Sequence, residues 1–191
     1  MSRSSLFHEA MRAYDNGDTR VALRLMEECA GNGDPIACFT AALWYCGEEG
    51  IPADPARSQH WLARLEHLAE EGSLEAQWEL GQQHRFGNVL AKSIGRANHW
   101  LERAAEGGHG EAQHHLAWYF ETGQYGYPLD PAAAADWYQR AFKQENPETL
   151  YLFAMKQFKD GRPTEEAIRL LRMASDKGFK QAERTLASCT H

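Results

Sequence analysis

The chain has 191 residues, of which 43% are hydrophobic and 25% are charged. This length fits either one globular domain or one repeat array, because domains usually contain about 50 to 250 residues. With 20 basic and 27 acidic side chains, the formal net charge is −7, and the acidic residues are spread along the chain. This balance argues against nucleic acid and against anionic membranes as partners.

The N-terminal residues predict a helix rather than a secretory signal. Residues 1–10 already include charged side chains, and they lack the roughly 7 to 15 apolar residues of a signal peptide. No stretch of the chain approaches the roughly 20 apolar residues of a membrane span. The four cysteines are unevenly spaced, at Cys29, Cys38, Cys46 and Cys189. We therefore expect a cytoplasmic bacterial protein without membrane insertion, whose cysteines are reduced thiols.

In chain order, the spacing of apolar residues predicts helices only. Glycine marks many helix ends, and the pairs Asp54-Pro55 and Asp130-Pro131 mark helix starts, because Asp caps free backbone N–H groups and Pro fits the first turn. No segment shows the alternation typical of a strand. The predicted helices lie near residues 5–16, 19–31, 35–46, 54–71, 74–86, 93–106, 110–122, 130–144, 147–160, 164–177 and 180–189.

These helices form pairs that repeat along the chain. The first helix of each pair, helix A, carries small or apolar residues at offsets 0, 4, 5 and 8 from its first position, which is one helical face. The second, helix B, carries Trp61, Trp100 or Trp137 in the central pairs, followed by small residues that allow close backbone approach. The predicted units lie near 6–36, 37–75, 76–111, 112–148 and 149–181, followed by a cap at 182–191.

This pattern resembles the SEL-one-like repeat, a relative of the tetratricopeptide repeat. Units that begin at Ala37, Ala76 and Ala112 are similar to the family pattern Ala-x-x-x-Leu-Gly-x-x-Tyr-x-x-Gly, and the helix B that follows resembles Ala-x-x-Trp-x-x-x-Ala-Ala-x-x-Gly. The resemblance implies one all-α domain over residues 1–191, a right-handed α/α solenoid of about five helix-turn-helix repeats plus a C-terminal capping helix. It also implies a non-catalytic scaffold or adaptor that binds a protein or peptide partner and needs no cofactor.

A second stripe of helix A remains after the packing positions are assigned. It lies at offsets −1, 2, 6 and 9, and in tetratricopeptide-like arrays this stripe lines the concave surface, so the resemblance assigns it to partner binding. A Trp beside polar neighbours suits an anchor with a polar rim. The alternative is that the aromatic residues of the stripe pack between hairpins. The predicted contact residues are Phe39, Leu43, Trp78, Gln82, Arg85, His114, Trp118, Glu121, Tyr151 and Met155.

No motif assembles a catalytic or metal site. The sequence lacks Cys-x-x-Cys, His-Glu-x-x-His and Gly-x-Ser-x-Gly. His109, His114 and His115 form the densest histidine group, but adjacent helical residues point about 100° apart, so we expect no metal site. The alternatives are a hydrolase or regulatory subunit that uses groove histidines and carboxylates, a passive subunit of an envelope or secretion assembly, and a homodimer through a terminal repeat. Secreted relatives also suggest a Cys29–Cys38 bridge as the alternative to free thiols.

Overall fold

The computed structural model describes residues 5–48, 50–87, 89–159 and 161–189. Within these ranges the chain forms α-helices and one two-stranded antiparallel sheet, so the prediction of an all-α repeat fold is confirmed. The helices are α1 (Ser5–Asp15), α2 (Thr19–Gly31), α3 (Pro35–Trp44), α4 (Pro55–Glu70), α5 (Leu74–Phe86), α6 (Ile94–Gly107), α7 (Gly110–Thr122), α8 (Pro131–Lys143), α9 (Pro147–Lys156), α10 (Glu165–Asp176) and α11 (Lys180–Cys189). The strands are β1 (Phe158–Lys159) and β2 (Arg162–Pro163).

Capping side chains set several helix starts. Asp34, Asp54 and Asp130 each accept a hydrogen bond from the backbone N–H three residues ahead, at 2.9 to 3.0 Å, and a proline follows each of them. An Asp followed by Pro satisfies one free N–H and removes another, which favours a helix start at that point. The Asp-Pro starts predicted from the sequence are therefore confirmed to within one residue.

The predicted helix over residues 147–160 is too long. Helix α9 ends at Lys156, and Phe158 then pairs with Pro163 in the short sheet. Gly161 has φ of +76°, a conformation that glycine adopts readily and that reverses the chain. Pro163 lacks the backbone N–H that a helical residue donates, so it does not favour a longer helix. The last predicted residue of this helix, Asp160, lies outside the described residues.

Contacts divide the chain into two compact units, one ending at Arg103 and the other beginning at Ala104. In unit 1, α1 to α5 and most of α6 enclose a core that includes Met26, Leu65 and Leu80. In unit 2, α7 packs on α8, and α9, α10 and α11 enclose a core around Leu150 and the leucines of α10. The grouping of all repeats into one domain stays a prediction.

Small residues bring helices A and B together within unit 1. Gly81 of α5 lies against the backbone of α6, so that a Cβ atom at this position would be 3.4 Å from both Ala97 O and Leu101 N. Gly81 therefore marks a close approach of the two helices, as the small residues of the repeat pattern predict. Ala104 and Ala117, two other small residues of that pattern, are fully buried in unit 2.

One buried column of helix A donates hydrogen bonds to the end of the preceding helix B. Gln77 Nε2 donates to Ala69 O at 2.9 Å, and Gln113 Nε2 donates to Ala105 O at the same distance. Cys38 Sγ approaches the matching carbonyl of an earlier pair at 3.6 Å. Carbonyl groups at a helix end lack partners inside the helix, so these side chains satisfy part of that need.

Replacing Gln113 with leucine should lower the free energy of unfolding by about 1 kcal/mol, because it removes one buried hydrogen bond. The loss stays small, since Gly108 N also donates to the Ala105 carbonyl. Urea denaturation monitored by circular dichroism would measure the change. Gln139→Leu, at an exposed position of α8, is the control. Equal stability of the two variants would show that the Gln113 hydrogen bond contributes nothing.

Candidate functional site

In unit 1 the predicted stripe is largely packed against other side chains. Phe39, Leu43, Trp78 and Gln82 are half-buried, and Phe39 contacts the hydrophobic core. Arg85 is 2% exposed, so the prediction that it lies on an exposed rim is wrong. It lies in the last turn of α5, where the chain turns back and Ser93 N donates to His84 O at 2.7 Å.

In unit 2 the same stripe is more open. Trp118 of α7 is 37% exposed and Met155 of α9 is 39% exposed. Glu121 is exposed, whereas His114 and Tyr151 are half-buried. The Tyr151 ring packs against Phe179 with ring centroids 5.4 Å apart. In unit 2 the stripe therefore keeps two large apolar side chains at the surface, Trp118 and Met155.

A polar network joins α7, α8 and α9 around His114. The His114 Nδ1 atom lies 2.8 Å from Thr149 Oγ1, and its Nε2 atom lies 3.1 Å from Glu148 Oε2. The His114 ring meets the Tyr138 ring edge to face at 5.5 Å. Tyr138 donates its phenolic proton to Glu121 Oε2 at 2.8 Å. We call these five residues the His114 cluster.

Burial determines the charge of this cluster. It lowers the pKa of His114 from 6.5 to about 4, so the imidazole is neutral at pH 7. The contact between His114 and Glu148 is therefore a contact of a neutral ring with the carboxyl group and not an ion pair. Burial and then the nearby Glu111 charge raise the pKa of Glu148. Burial and the hydrogen bond to Glu121 raise the pKa of Tyr138.

The order of Thr149, His114 and Glu148 parallels a nucleophile, a base and an orienting acid. Thr149 is fully buried, however, and its hydroxyl also lies 3.0 Å from Asn146 Oδ1, the cap of α9. A substrate carbonyl must reach the nucleophile for this chemistry, and no surface leads to a hydroxyl with zero exposure. The arrangement fits a role in which His114 ties α7 to the start of α9. The described residues also contain no group of three metal-binding side chains.

An aromatic platform supports Trp118. Tyr125 lies with its ring centroid 6.4 Å from that of Trp118 and 4.8 Å from that of Tyr119. Tyr125 has φ of +55°, in the left-handed region where a non-glycine residue is strained by the order of 1 kcal/mol. Tyr127 stacks on the other side of Tyr119 at 5.8 Å. The loop after α7 therefore places the Tyr125 ring beside Trp118.

Sequence reasoning missed three residues of this surface. Tyr138 lies on helix B, outside the stripe, and only its position next to Trp137 in α8 suggested burial. Tyr125 lies in a glycine-rich turn, and the aromatic residues of that turn were the only sequence signal for a packing role. Lys156 of α9 places its ammonium 5.9 Å from the centroid of the Tyr138 ring. Each of these positions depends on the pairing of helices, which the stripe alone does not specify.

These features define a helical-repeat protein with an exposed aromatic and acidic surface on paired helices. The chain belongs to the Sel1 repeat family, whose repeat matches residues 35–65, 74–109, 110–146 and 159–179. The resemblance stated from the sequence is thereby confirmed. Sel1 repeat proteins generally act as protein-interaction scaffolds and are typically non-catalytic.

Three similar proteins illustrate the relationship. An uncharacterized protein of Neisseria meningitidis serogroup B is 32% identical over 127 residues, which is 66% of this chain and 25% of that protein. Chitin synthase regulatory factor 3 of Schizosaccharomyces pombe is 34% identical over 117 residues, or 59% of this chain and 12% of that protein. The crystal structure of a Sel1 repeat protein from Oxalobacter formigenes superposes with a TM-score of 0.65 at 24% identity, covering 95% of this chain and 53% of the other.

The chain thus spans a quarter or less of the length of the two sequence relatives. The likeness to the Oxalobacter formigenes structure supports the repeat fold. None of the helices in the described ranges has the length and apolar character needed to cross a bilayer. Cys29, Cys38, Cys46 and Cys189 form no disulfide in the structure, and burial raises the pKa of Cys38 to about 12.

Proposed function

We propose that this protein is a non-catalytic scaffold that binds a peptide or partner protein on the helix-A face of unit 2. Trp118 is the central anchor, Met155 and Tyr151 extend the apolar contact along α9, and Glu121 orients the partner. His114 supports this surface through its contacts with Thr149 and Glu148 of α9. The observation that carries the proposal is the 37% exposure of Trp118, a large side chain that the fold holds at the surface.

The support given to Trp118 favours a binding role over accidental exposure. Its ring rests beside Tyr125, whose left-handed backbone costs free energy that a purely structural turn with glycine would avoid. A rigid aromatic residue loses little conformational entropy when it is covered, and tryptophan is enriched at the energetic centres of interfaces. The polar residues around it, Glu121 and Thr122, suit a rim.

The unit 1 positions form a separate part of this proposal. Phe39, Leu43, Trp78 and Gln82 each keep part of the side chain at the surface of unit 1, so we propose them as contact residues of that unit by itself. Arg85 makes no direct contact in this proposal, because it is buried. The proposed compartment is the cytoplasm, where reduced thiols such as those of this chain persist.

Substituting Trp118 with alanine should weaken partner binding by about 2 kcal/mol or more, roughly thirtyfold, because the anchor loses its buried contact area. A pull-down with the purified chain as bait first identifies the partner, and isothermal titration calorimetry then compares affinities. Leu129→Ala removes an apolar side chain that is 68% exposed outside the stripe, and this control should bind normally.

The melting temperature of the same variant distinguishes binding from packing. An interface anchor with over a third of its surface exposed should leave the fold intact when removed. If Trp118→Ala instead lowers stability by about 3 kcal/mol or more and its folded fraction binds normally, Trp118 is a packing residue and the proposed site is wrong.

A further inference from the structure

The helix-A face of unit 2 carries more negative than positive charge. Glu111, Glu121 and Glu148 all lie on this face. Glu111 lies beside His109, Glu148 lies beside His114, and Glu121 accepts a hydrogen bond from the Tyr138 hydroxyl. Within the described ranges none of the three carboxylates forms an ion pair with lysine or arginine. Lys156, the nearby cation, places its ammonium over the rings of Tyr138 and Phe153, at 5.9 and 5.6 Å from their centroids.

His114 does not compensate for this charge. It is neutral at pH 7 because it is buried, so its contact with Glu148 leaves the carboxylate charge in place. His109 Nδ1 accepts a hydrogen bond from Ala112 N as the cap of α7 and lies 3.6 Å from Glu111 Oε2. Glu111 also repels Glu148 strongly enough to contribute to the raised pKa of the Glu148 carboxyl. A cation bound between these carboxylates would relieve the repulsion.

We infer that the partner segment held by Trp118 is basic, with arginine or lysine side chains placed over the Glu111, Glu121 and Glu148 carboxylates. The inference rests on the binding site proposed above and adds the chemistry of its occupant. Two independent features agree on this chemistry. Carboxylates pair with guanidinium groups through charge-assisted hydrogen bonds, and the exposed indole face attracts a cation by its ring quadrupole. An apolar side chain beside the cation would cover Met155.

Three synthetic peptides of equal length serve as probes, with leucine alternating with arginine, glutamine or glutamate. The full chain is immobilised, and surface plasmon resonance records association rates at low and at high salt. Glu111→Lys is the test variant, and Asp136→Lys on helix B of the same unit is the matched control. Both exchanges change the net charge equally, and both side chains are exposed, so folding should be unaffected.

The expected result is binding of the arginine peptide, with an association rate that Glu111→Lys lowers roughly threefold to tenfold more than Asp136→Lys does at low salt. High salt should remove that difference, because exposed charges are screened. Equal effects of the two exchanges, equal binding of the glutamine or glutamate peptide, or no binding of the arginine peptide would each overturn the inference.

Trp118→Ala separates this inference from the proposed function. If Trp118→Ala weakens binding but the two charge exchanges have equal effects, Trp118 is the anchor and the inference of a basic partner is wrong. If Trp118→Ala leaves binding unchanged but Glu111→Lys has a specific effect, the site prefers basic segments and Trp118 is not the anchor.

Discussion

Replacing Gly81 with leucine should lower the free energy of unfolding by about 3 kcal/mol, because the new side chain must push α5 away from α6. The Cβ atom alone would already lie 3.4 Å from two backbone atoms, Ala97 O and Leu101 N. Backbone atoms of a packed helix cannot rotate aside as a flexible side chain does. The remaining atoms of leucine would therefore force the two helices apart and open the core around Leu80 and Leu101. Urea denaturation followed by circular dichroism measures the loss.

Gly95→Leu is the matched control for this experiment. Gly95 is also a helical glycine, the second residue of α6, but a Cβ atom there would have no neighbour within 4 Å. Leucine is a better helix former than glycine by up to about 1 kcal/mol, so this variant should keep or raise stability. If the two variants have equal stability, the close approach of the helices at Gly81 does not contribute to the free energy of unfolding.

Lowering the pH from about 6.5 to about 4 should destabilise unit 2 by up to about 3 kcal/mol through His114. Burial holds the pKa of His114 at about 4 in the folded chain, against its ordinary value of 6.5. Between these values the unfolded chain binds a proton that the folded chain does not, so acidification favours unfolding. Glu148 acts in the opposite direction, because its raised pKa makes the folded state take up a proton above the ordinary value of 4.5.

The variant His114→Gln should flatten this part of the stability curve, since glutamine can hydrogen-bond to Thr149 and Glu148 but does not titrate. Stability is measured by urea denaturation at a series of pH values for the natural chain and for both variants. His60→Gln, which removes an exposed histidine of α4, is the control and should leave the slope unchanged. A slope that persists in His114→Gln would assign the acid sensitivity to other groups.

The sequence by itself determined most of the helix bounds and the positions of the small packing residues. Asp-Pro starts, glycine ends and the offsets of small residues are local signals, because a helix start needs a cap and a close approach needs a missing side chain, as at Gly81. Local signals failed to predict the end of α9. The apolar spacing predicts a longer helix, but α9 stops before residue 157 and the chain then enters the short sheet.

Only the tertiary structure decided which members of the stripe are surface. Arg85 and Trp118 lie at the offsets assigned to one surface, yet the arginine is 2% exposed and the tryptophan 37%. The periodicity of a helix specifies the direction in which a side chain points. It does not specify which other part of the chain packs against that side chain. A returning chain segment packs at the end of α5, whereas the turn after α7 places Tyr125 beside Trp118 and leaves the indole open. The neutral state of His114 has the same origin, because it depends on how deeply the neighbouring helices bury the ring.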